Sequence, residues 1–271
     1  EKPNNKMKKF LVIGNPIQHS LSPKLHNHWL KKNKIDAIYE KKLVDDNNIK
    51  EIIIGIKENK IQGINITVPF KKKIIEFVDE LSDEAKETQS VNTIYTNDKK
   101  LIGHNTDISG FELSLRHIKY NVNEKKVFIL GSGGVVSSIV LALKRMKPSQ
   151  IILSNRTQSK AEKIKAMFKG IEIVKWGEVP DFDLIINATS LGLNEADDLD
   201  LDYEKIGKNK HFYDVIYNPK ETNFLKKGKL YGHSTTNGKM MFIYQAHQSF
   251  TIWHKIMPKI DDDTIKLIEN D

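Results

Sequence analysis

Residues 126–146 read KVFILGSGGVVSSIVLALKRM, and this stretch decides the fold class. An apolar run of strand length ends in Gly131, Gly133 and Gly134, and an apolar segment of helical character follows at once. Small residues there permit a tight turn. They also let a pyrophosphate approach the helix N-terminus, where free N–H groups and the helix dipole favour anions. Val136 occupies the position of a third glycine, so the G-x-G-x-x-G pattern is incomplete and an ordinary glycine turn is the alternative. The strand–turn–helix setting favours a dinucleotide site.

Downstream the same alternation continues: strand QIILSN, helix SKAEKIKAMF, then strands EIVKW, FDLIINAT and HFYDVIY. This is the layout of a doubly wound, Rossmann-like domain. The tip of its second strand discriminates between cofactors. An NAD site carries Asp or Glu there to hold the ribose 2′-hydroxyl, whereas this chain has SNRTQSK, with Asn155, Arg156, Thr157 and Lys160. Of 43 lysines and arginines, only Arg116, Arg145 and Arg156 are arginines. A planar guanidinium engages a 2′-phosphate through two bonds and stacks on adenine, so the tip predicts NADP. An exposed arginine that merely opens a helix is disfavoured, because positive charge belongs at the other helix end.

Upstream the units are shorter. KFLVIG, AIYEKKLV and GINITVP read as strands, and SPKLHNHWLKKN and IKEIIIGIKENK as helices, the first with Ser22 as its N-cap and Pro23 at its first position. Apolar residues at 70, 74, 75, 77, 78 and 81 predict a helix over 70–81. A short helical turn, SDEAKET, precedes the strands VNTIYTND and KLIGHNTD. The last long helix, MMFIYQAHQSFTIWHKIM, is apolar on more than one face and is expected to return to the first domain. The reading is α/β with two domains. An N-terminal α/β domain with a mainly parallel sheet spans 1–107 and is completed by 239–271; a Rossmann-like domain spans 108–238.

At 271 residues, 39% hydrophobic and 29% charged, the chain suits a soluble globular protein. It has no cysteine, which excludes disulfides and thiol chemistry and suits a reducing cytoplasm. The apolar run near the start is too short for a signal peptide, and Met7 is a candidate native start behind a six-residue extension. The net charge of +8 comes from lysines spread among acidic residues, with no arginine-rich or aromatic-interleaved tract, so neither nucleic acid nor a membrane is expected as a partner. A monomer or homodimer acting on a small molecule is.

Polar clusters mark the strand ends of the first domain: Ser20 and Ser22, then Asn65, Thr67 and Lys71, then Asn92, then Asn105 and Asp107. Hydroxyls, amides, one lysine and one carboxylate suit a small polyhydroxylated ligand. No His or carboxylate pair has metal-ligand spacing. Each cluster also has a bland reading: a serine that caps a helix, or an Asn or Asp that makes a turn.

The ordered set GNPIQHSLSP, NITVPFK, VNT, NTD, GSGG, NRT, NATSLG, YDVIYNP and the Q-A-H of the last helix resembles the shikimate dehydrogenases, from about Phe10 to Pro258. The resemblance implies NADPH-dependent, reversible reduction of 3-dehydroshikimate to shikimate, in chorismate and aromatic amino-acid biosynthesis. It implies that Ser20 and Ser22 hold the substrate carboxylate, that Thr67, Asn92 and Gln245 hold its hydroxyls, that Tyr217 lies near it, and that Lys71 and Asp107 form the catalytic pair. For the cofactor it implies Gly131, Ser132, Gly133, Gly134 and Val135 at the turn. Asn155, Arg156, Thr157 and Lys160 follow at the next tip, then Ala188, Thr189, Ser190, Val215 and Gly238 at later strand ends.

The chain departs from the family at NGKMM, where Met240 replaces a glycine, and at His104 and Ile108 in GHNTDIS. It also lacks an arginine after the glycines, and Lys160 stands where a second phosphate-binding arginine is common. A quinate/shikimate dehydrogenase paralogue with broader substrate or NAD use, and a non-catalytic NADP-binding sensor, therefore remain as alternatives. Glutamyl-tRNA reductase, with a similar cofactor domain, needs a nucleophilic cysteine that this chain lacks. In the implied reaction a Lys71 ammonium stabilises negative charge on the C3 oxygen and delivers its proton, while Lys72 and Lys73 are solvated. Lys71→Ala should therefore lower turnover about 10²–10⁴-fold with NADPH binding intact; wild-type turnover in a steady-state assay would remove Lys71 from the chemistry.

Overall fold

The computed structural model describes residues 6–269. The start of the proposed extension before Met7 lies outside them. The described residues fall into two compact units, one ending at Thr106 and resuming at Gln245, the other running from Asp107 to Tyr244.

The first unit opens with β1 (Lys8–Gly14), α1 (Ser22–Lys32), β2 (Ala37–Leu43), α2 (Ile49–Lys57) and β3 (Gly63–Ile66). It continues with β4 (Glu80–Leu81), α3 (Asp83–Thr88), β5 (Thr93–Asn97) and β6 (Lys100–His104). Its sheet runs β2-β1-β3-β5-β6-β4. β1 pairs parallel with β2 and β3, β5 runs antiparallel to β3 and β6, and β4 is parallel to β6.

Both faces of β1 are covered, which is why KFLVIG is apolar without alternation. Leu11 and Ile13 join Ile53, Ile64, Ile66, Phe70 and Ile74 in one core cluster. Phe10 lies on the other face against Trp253, ring centroids 4.9 Å apart. That face also buries His26, stacked on Tyr39 at 4.2 Å, with neither ring nitrogen hydrogen-bonded among the described residues. Burial, reinforced by the nearby His254, holds the His26 ring neutral and pushes its pKa down to about 3.

The second unit contains α4 (Asp107–His117), β7 (Lys126–Leu130), α5 (Gly134–Arg145), β8 (Gln150–Ser154), α6 (Gln158–Met167) and β9 (Ile171–Ile173). β10 (Leu184–Asn187), β11 (His211–Asp214), α7 (Asn223–Leu230) and β12 (Ser234–Thr236) complete its sheet. The order is β12-β11-β10-β7-β8-β9, with parallel pairing throughout. The chain winds outward from β7, then returns to wind the other way from β10. Loops at the carboxyl ends of β7 and β10 therefore part and leave a crevice. α8 (Lys239–His254) begins in this unit and passes into the first at Gln245, followed by α9 (Asp262–Glu269).

Three local expectations change. Residues 70–81 do not form one helix: a 3-10 turn spans Lys73–Phe77, Val78 is extended, and Glu80–Leu81 is strand. β-branched and aromatic residues weaken a helix there. Pairing with β6, begun by the Asp79 N–H donating to the Leu101 carbonyl at 2.9 Å, satisfies the backbone instead. Second, Ser22 is the first helical residue of α1 rather than its cap; Leu21 precedes it, and the Ser22 N–H donates to Ser20 Oγ at 3.2 Å. Third, the units divide after Thr106 and after Tyr244, not at 107 and 239. α4 starts at Asp107, and Met241 of α8 belongs to the second unit's core.

Gly63 opens β3 directly beneath the Trp253 indole, which a Cβ would meet, and that indole N–H donates to the Ile94 carbonyl at 3.1 Å. Gly63→Ala should therefore destabilise the protein by about 1–3 kcal/mol through overpacking, read as a lower urea midpoint at unchanged m. A wild-type midpoint would refute the close approach.

Candidate functional site

In the first unit the sequence clusters gather on one edge of the sheet. β1 and β3 leave the sheet there, β5 enters and β6 leaves. Backbone bonds tie the loops together: Thr67 N–H donates to the Ile13 carbonyl at 2.9 Å, Asn15 N–H to Val68 at 3.1 Å, and Ile66 N–H to Asn92 at 2.8 Å. The Thr67–Phe70 turn closes at 3.1 Å, and the Phe70 ring is anchored in the core. Lys71 follows, its carbonyl accepting from the Val91 N–H at 2.8 Å. The lysine is thus clamped one residue from Asn92. Its side chain is half-buried, whereas Lys72 and Lys73 are exposed and Lys73 pairs with Asp46 at 3.2 Å. Ser20 is half-buried, Ser22 buried, and Thr67 and Gln245 half-buried.

Asn92 is 3% exposed and locked. Its Oδ1 accepts from the Thr106 N–H at 2.8 Å and the Thr93 hydroxyl at 3.0 Å, and its Nδ2 donates to Thr106 Oγ1 at 2.8 Å. Asn65 lies beneath it, with Nδ2 reaching the Asn92 carbonyl at 3.1 Å and Oδ1 accepting from the Tyr39 hydroxyl at 2.8 Å. Sequence reading noted Asn65 without giving it a role and missed Thr93 and Thr106. The available signal was Asn65 itself, a polar residue in a short strand that is buried throughout.

Asp107 and Tyr217 belong to the second unit. Asp107 is buried at the start of α4, and Tyr217 stacks on Phe242 at 4.4 Å. The glycine turn there is built for close approach. Gly131 has φ +125, and a Cβ on it would strike the Ala188 carbonyl; its N–H donates to the Ser154 carbonyl at 2.9 Å. Gly133 caps α5 with no side-chain bond to the first-turn N–H groups, and a Cβ there would meet open space. An unobstructed helix N-terminus of this kind fits a pyrophosphate. Ser132 and Val135 are half-buried and Gly134 exposed, while Val136 is fully buried and packs the helix onto the core in place of the third glycine.

At the β8 tip Arg156 is exposed, and its guanidinium lies over the Trp176 ring at 5.8 Å. The Asn155 side chain donates to the Thr157 carbonyl at 3.0 Å, closing the tip, and Lys160 is exposed on α6. The later strand ends are tied in by Val215 N–H donating to Asn187 at 3.0 Å and Gly238 N–H to Ile216 at 3.1 Å.

Behind the loop of Ala188, Thr189 and Ser190 lies a buried carboxylate the sequence reading missed. Asp214 is fully buried and accepts from Thr222 Oγ1 at 2.7 Å, Ile216 N–H at 3.0 Å and Asn187 Nδ2 at 3.2 Å. Asn187 Oδ1 in turn accepts from the Thr189 N–H at 3.0 Å and its hydroxyl at 2.7 Å. Burial drives the Asp214 pKa up to about 6 against the lowering effect of these bonds.

Two family models match the chain: the shikimate dehydrogenase substrate binding domain over residues 12–94, and shikimate / quinate 5-dehydrogenase over 112–194. The shikimate dehydrogenase (NADP(+)) of Pelagibacter ubique is 62% identical over 262 residues, 97% of this chain and 99% of that protein. The crystal structure of shikimate dehydrogenase from Aquifex aeolicus superposes with TM-score 0.88 at 33% identity, covering 99% of each chain. A Listeria monocytogenes shikimate 5-dehydrogenase, solved in complex with shikimate and NAD, superposes with TM-score 0.88 at 27% identity over 99% of this chain and 98% of that one.

Asp214 gives a pH signature. Its folded pKa lies above the unfolded value of 3.8, so its stabilising contribution is complete below that value and is lost as pH rises through about 6. His26, His211 and His254, with pKa values lowered to about 3, 4 and 4, act in the opposite sense: their contribution is lost as pH falls from 6.5. Against this background, Asp214→Asn should gain stability relative to the parent between pH 4 and pH 8, by up to roughly 3 kcal/mol. Parallel pH profiles from urea unfolding would contradict the assignment.

Proposed function

The chain belongs to the shikimate dehydrogenase family, and from that premise we propose how its residues divide the work. The protein is an NADP-dependent oxidoreductase of the shikimate pathway that interconverts 3-dehydroshikimate and shikimate, a step in aromatic amino-acid biosynthesis. The first unit holds the substrate and the second holds NADP(H). Bound NADPH supplies the hydride for reduction of the C3 carbonyl.

Ser20 and Ser22 hold the substrate carboxylate. Their loop supports this, because the Ser22 N–H donates to Ser20 Oγ and orders that hydroxyl. Thr67, Asn92 and Gln245 hold the ring hydroxyls, with Tyr217 beside the ring. Both lone pairs of Asn92 Oδ1 are engaged by Thr106 and Thr93, so Asn92 offers the substrate an N–H and not an acceptor. Lys71 acts with Asp107 as the catalytic pair. The ammonium meets the negative charge that develops on the C3 oxygen and transfers a proton to it; in the oxidative direction the neutral amine removes that proton. The observation that carries the assignment is the Val91–Lys71 main-chain bond, which ties the backbone of the half-buried lysine of the Lys71–Lys73 run to the residue before Asn92.

On the cofactor side, the turn from Gly131 to Val135 takes the pyrophosphate and Arg156 takes the 2′-phosphate, assisted by Asn155, Thr157 and Lys160. The guanidinium rests on Trp176 rather than on a carboxylate, which leaves its hydrogen-bonding edge for phosphate. Ala188, Thr189, Ser190, Val215 and Gly238 complete the pocket edge. The reaction takes place in the cytoplasm, and a monomer or homodimer carries it out without nucleic acid.

The test is NADPH consumption by the purified protein given 3-dehydroshikimate, with NADH and quinate run alongside. Rapid, NADPH-selective turnover is expected. Turnover of quinate with NADH would instead favour a quinate/shikimate paralogue, and none with either cofactor in folded protein would favour a sensor. Arg156→Ala should erase most of the NADPH preference, at least about tenfold in relative kcat/KM; an unchanged preference would remove the arginine from the 2′-phosphate site.

A further inference from the structure

Ser249 lies on the part of α8 that belongs to the first unit, fully buried, four residues beyond Gln245. Its hydroxyl meets Asn65 Nδ2 at 3.0 Å, Thr93 Oγ1 at 2.9 Å and, at the limit of bonding, Thr106 Oγ1 at 3.4 Å. The residues it touches are those that hold Asn92.

Proton accounting gives the direction of each bond. The Asn92 carbonyl accepts only, so the Asn65 amide must turn Nδ2 toward it, which leaves Oδ1 for the Tyr39 hydroxyl. The second proton of the same Nδ2 is shared between Ser249 Oγ at 3.0 Å and Thr93 Oγ1 at 3.1 Å. Thr93 gives its one proton to Asn92 Oδ1, so in the 2.9 Å contact with Ser249 the serine is the donor. The competing acceptor for the serine proton, the Gln245 carbonyl, is farther away at 3.3 Å. Ser249 thus receives from Asn65 and gives to Thr93, which fixes the threonine hydroxyl in the rotamer that saturates Asn92 Oδ1.

We propose that Ser249 is a positioning residue for this reaction: through Thr93 and Asn65 it holds the Asn92 amide in the orientation that presents a donor to the substrate. The proposal rests on the assignment of Asn92 to the substrate made above. Without the serine donor the Thr93 oxygen keeps only the Asn65 Nδ2 donor at 3.1 Å, so its hydroxyl is held less firmly, the second lone pair of Asn92 Oδ1 can open, and the amide can rotate and present an acceptor instead. Buried polar networks behave in this all-or-none manner because each member's alternatives are unsatisfied. The substrate-binding step should feel the change, and the cofactor should not.

The experiment is a double-mutant cycle in the direction of shikimate oxidation, using Ser249→Ala, Asn92→Ala and the pair. Ser249→Ala should raise KM for shikimate about three- to tenfold with KM for NADP+ unchanged. In the Asn92→Ala background it should add nothing, since its effect passes through that amide. Thr93→Val, which removes the hydroxyl through which Ser249 reaches Asn92 while keeping the volume, should reproduce the KM shift and serves if Ser249→Ala fails to fold. Ile53→Val, a core substitution in α2 away from the network, lowers stability and should leave KM for shikimate alone.

An unchanged KM for shikimate in both Ser249→Ala and Thr93→Val, an equal shift in the Asn92→Ala background, or a matching shift in Ile53→Val would each overturn the proposal. If Asn92→Ala itself leaves KM for shikimate unchanged, the substrate assignment of Asn92 fails, and the proposal fails with it for a different and recognisable reason.

Discussion

The first unit depends on satisfying one buried amide. Asn65 stands second to last in a strand whose other residues are Gly63, Ile64 and Ile66, all buried. It is 6% exposed, so its polar atoms need partners within the protein, since each orphan would cost about 1–3 kcal/mol. The partners come from β2 (Tyr39), the start of β5 (Thr93 and the Asn92 carbonyl) and α8 (Ser249). Meeting that demand brings β5 into the sheet antiparallel beside β3 and fixes where α8 lies against it. The polar rim at this edge of the sheet, where the substrate is proposed to bind, is therefore held from below, and Asn92 is ordered by the fold itself. Such preorganisation keeps binding from having to pay for ordering the amide.

The second unit meets a similar demand with a charge in place of an amide. Asn187 and Asp214 end adjacent strands, and together they tie the loop after β10 to the loop after β11. A carboxylate placed so deep is tolerated because Thr222, Ile216 and Asn187 all donate to it, and its pKa of about 6 records how far burial outweighs those bonds. The glycine turn meets this loop through Gly131, whose lack of a side chain admits the Ala188 carbonyl. The missing third glycine has a packing explanation: Val136 fills the space between α5 and the sheet. Met240, which replaces a family glycine at the start of α8, is buried. Arg156 at the β8 tip lies over the aromatic face of Trp176.

Much of the α/β alternation was legible because it is written in local patterns: apolar runs for strands, helical spacing for α1, α2 and α5, and a glycine turn between β7 and α5. The failures were also local in origin. Residues 70–81 carry helical spacing, but the spacing is satisfied by a 3-10 turn whose side chains reach the core cluster and by an edge strand that pairs with β6. Ser22 has the chemistry of an N-cap, yet Leu21 takes that place and Ser22 accepts the role of first helical residue. Short-range preferences worth a few tenths of a kcal/mol to about one yielded to pairing and burial.

By itself the sequence determined the α/β class, the doubly wound second half, the glycine turn between β7 and α5, the arginine in place of an acid at the β8 tip, and the ordered motifs that mark the family. Each depends on residues close together in the chain, where covalent spacing and local conformation carry the information. What only the tertiary structure decided is which polar side chains work together. Asn65 meets Asn92 across 27 residues and Ser249 across 184, and Asn187 meets Asp214 across 27. A hydrogen bond requires donor and acceptor within about 3 Å and in line, a condition that no sequence spacing on this scale encodes and that the packed sheets and α8 alone satisfy.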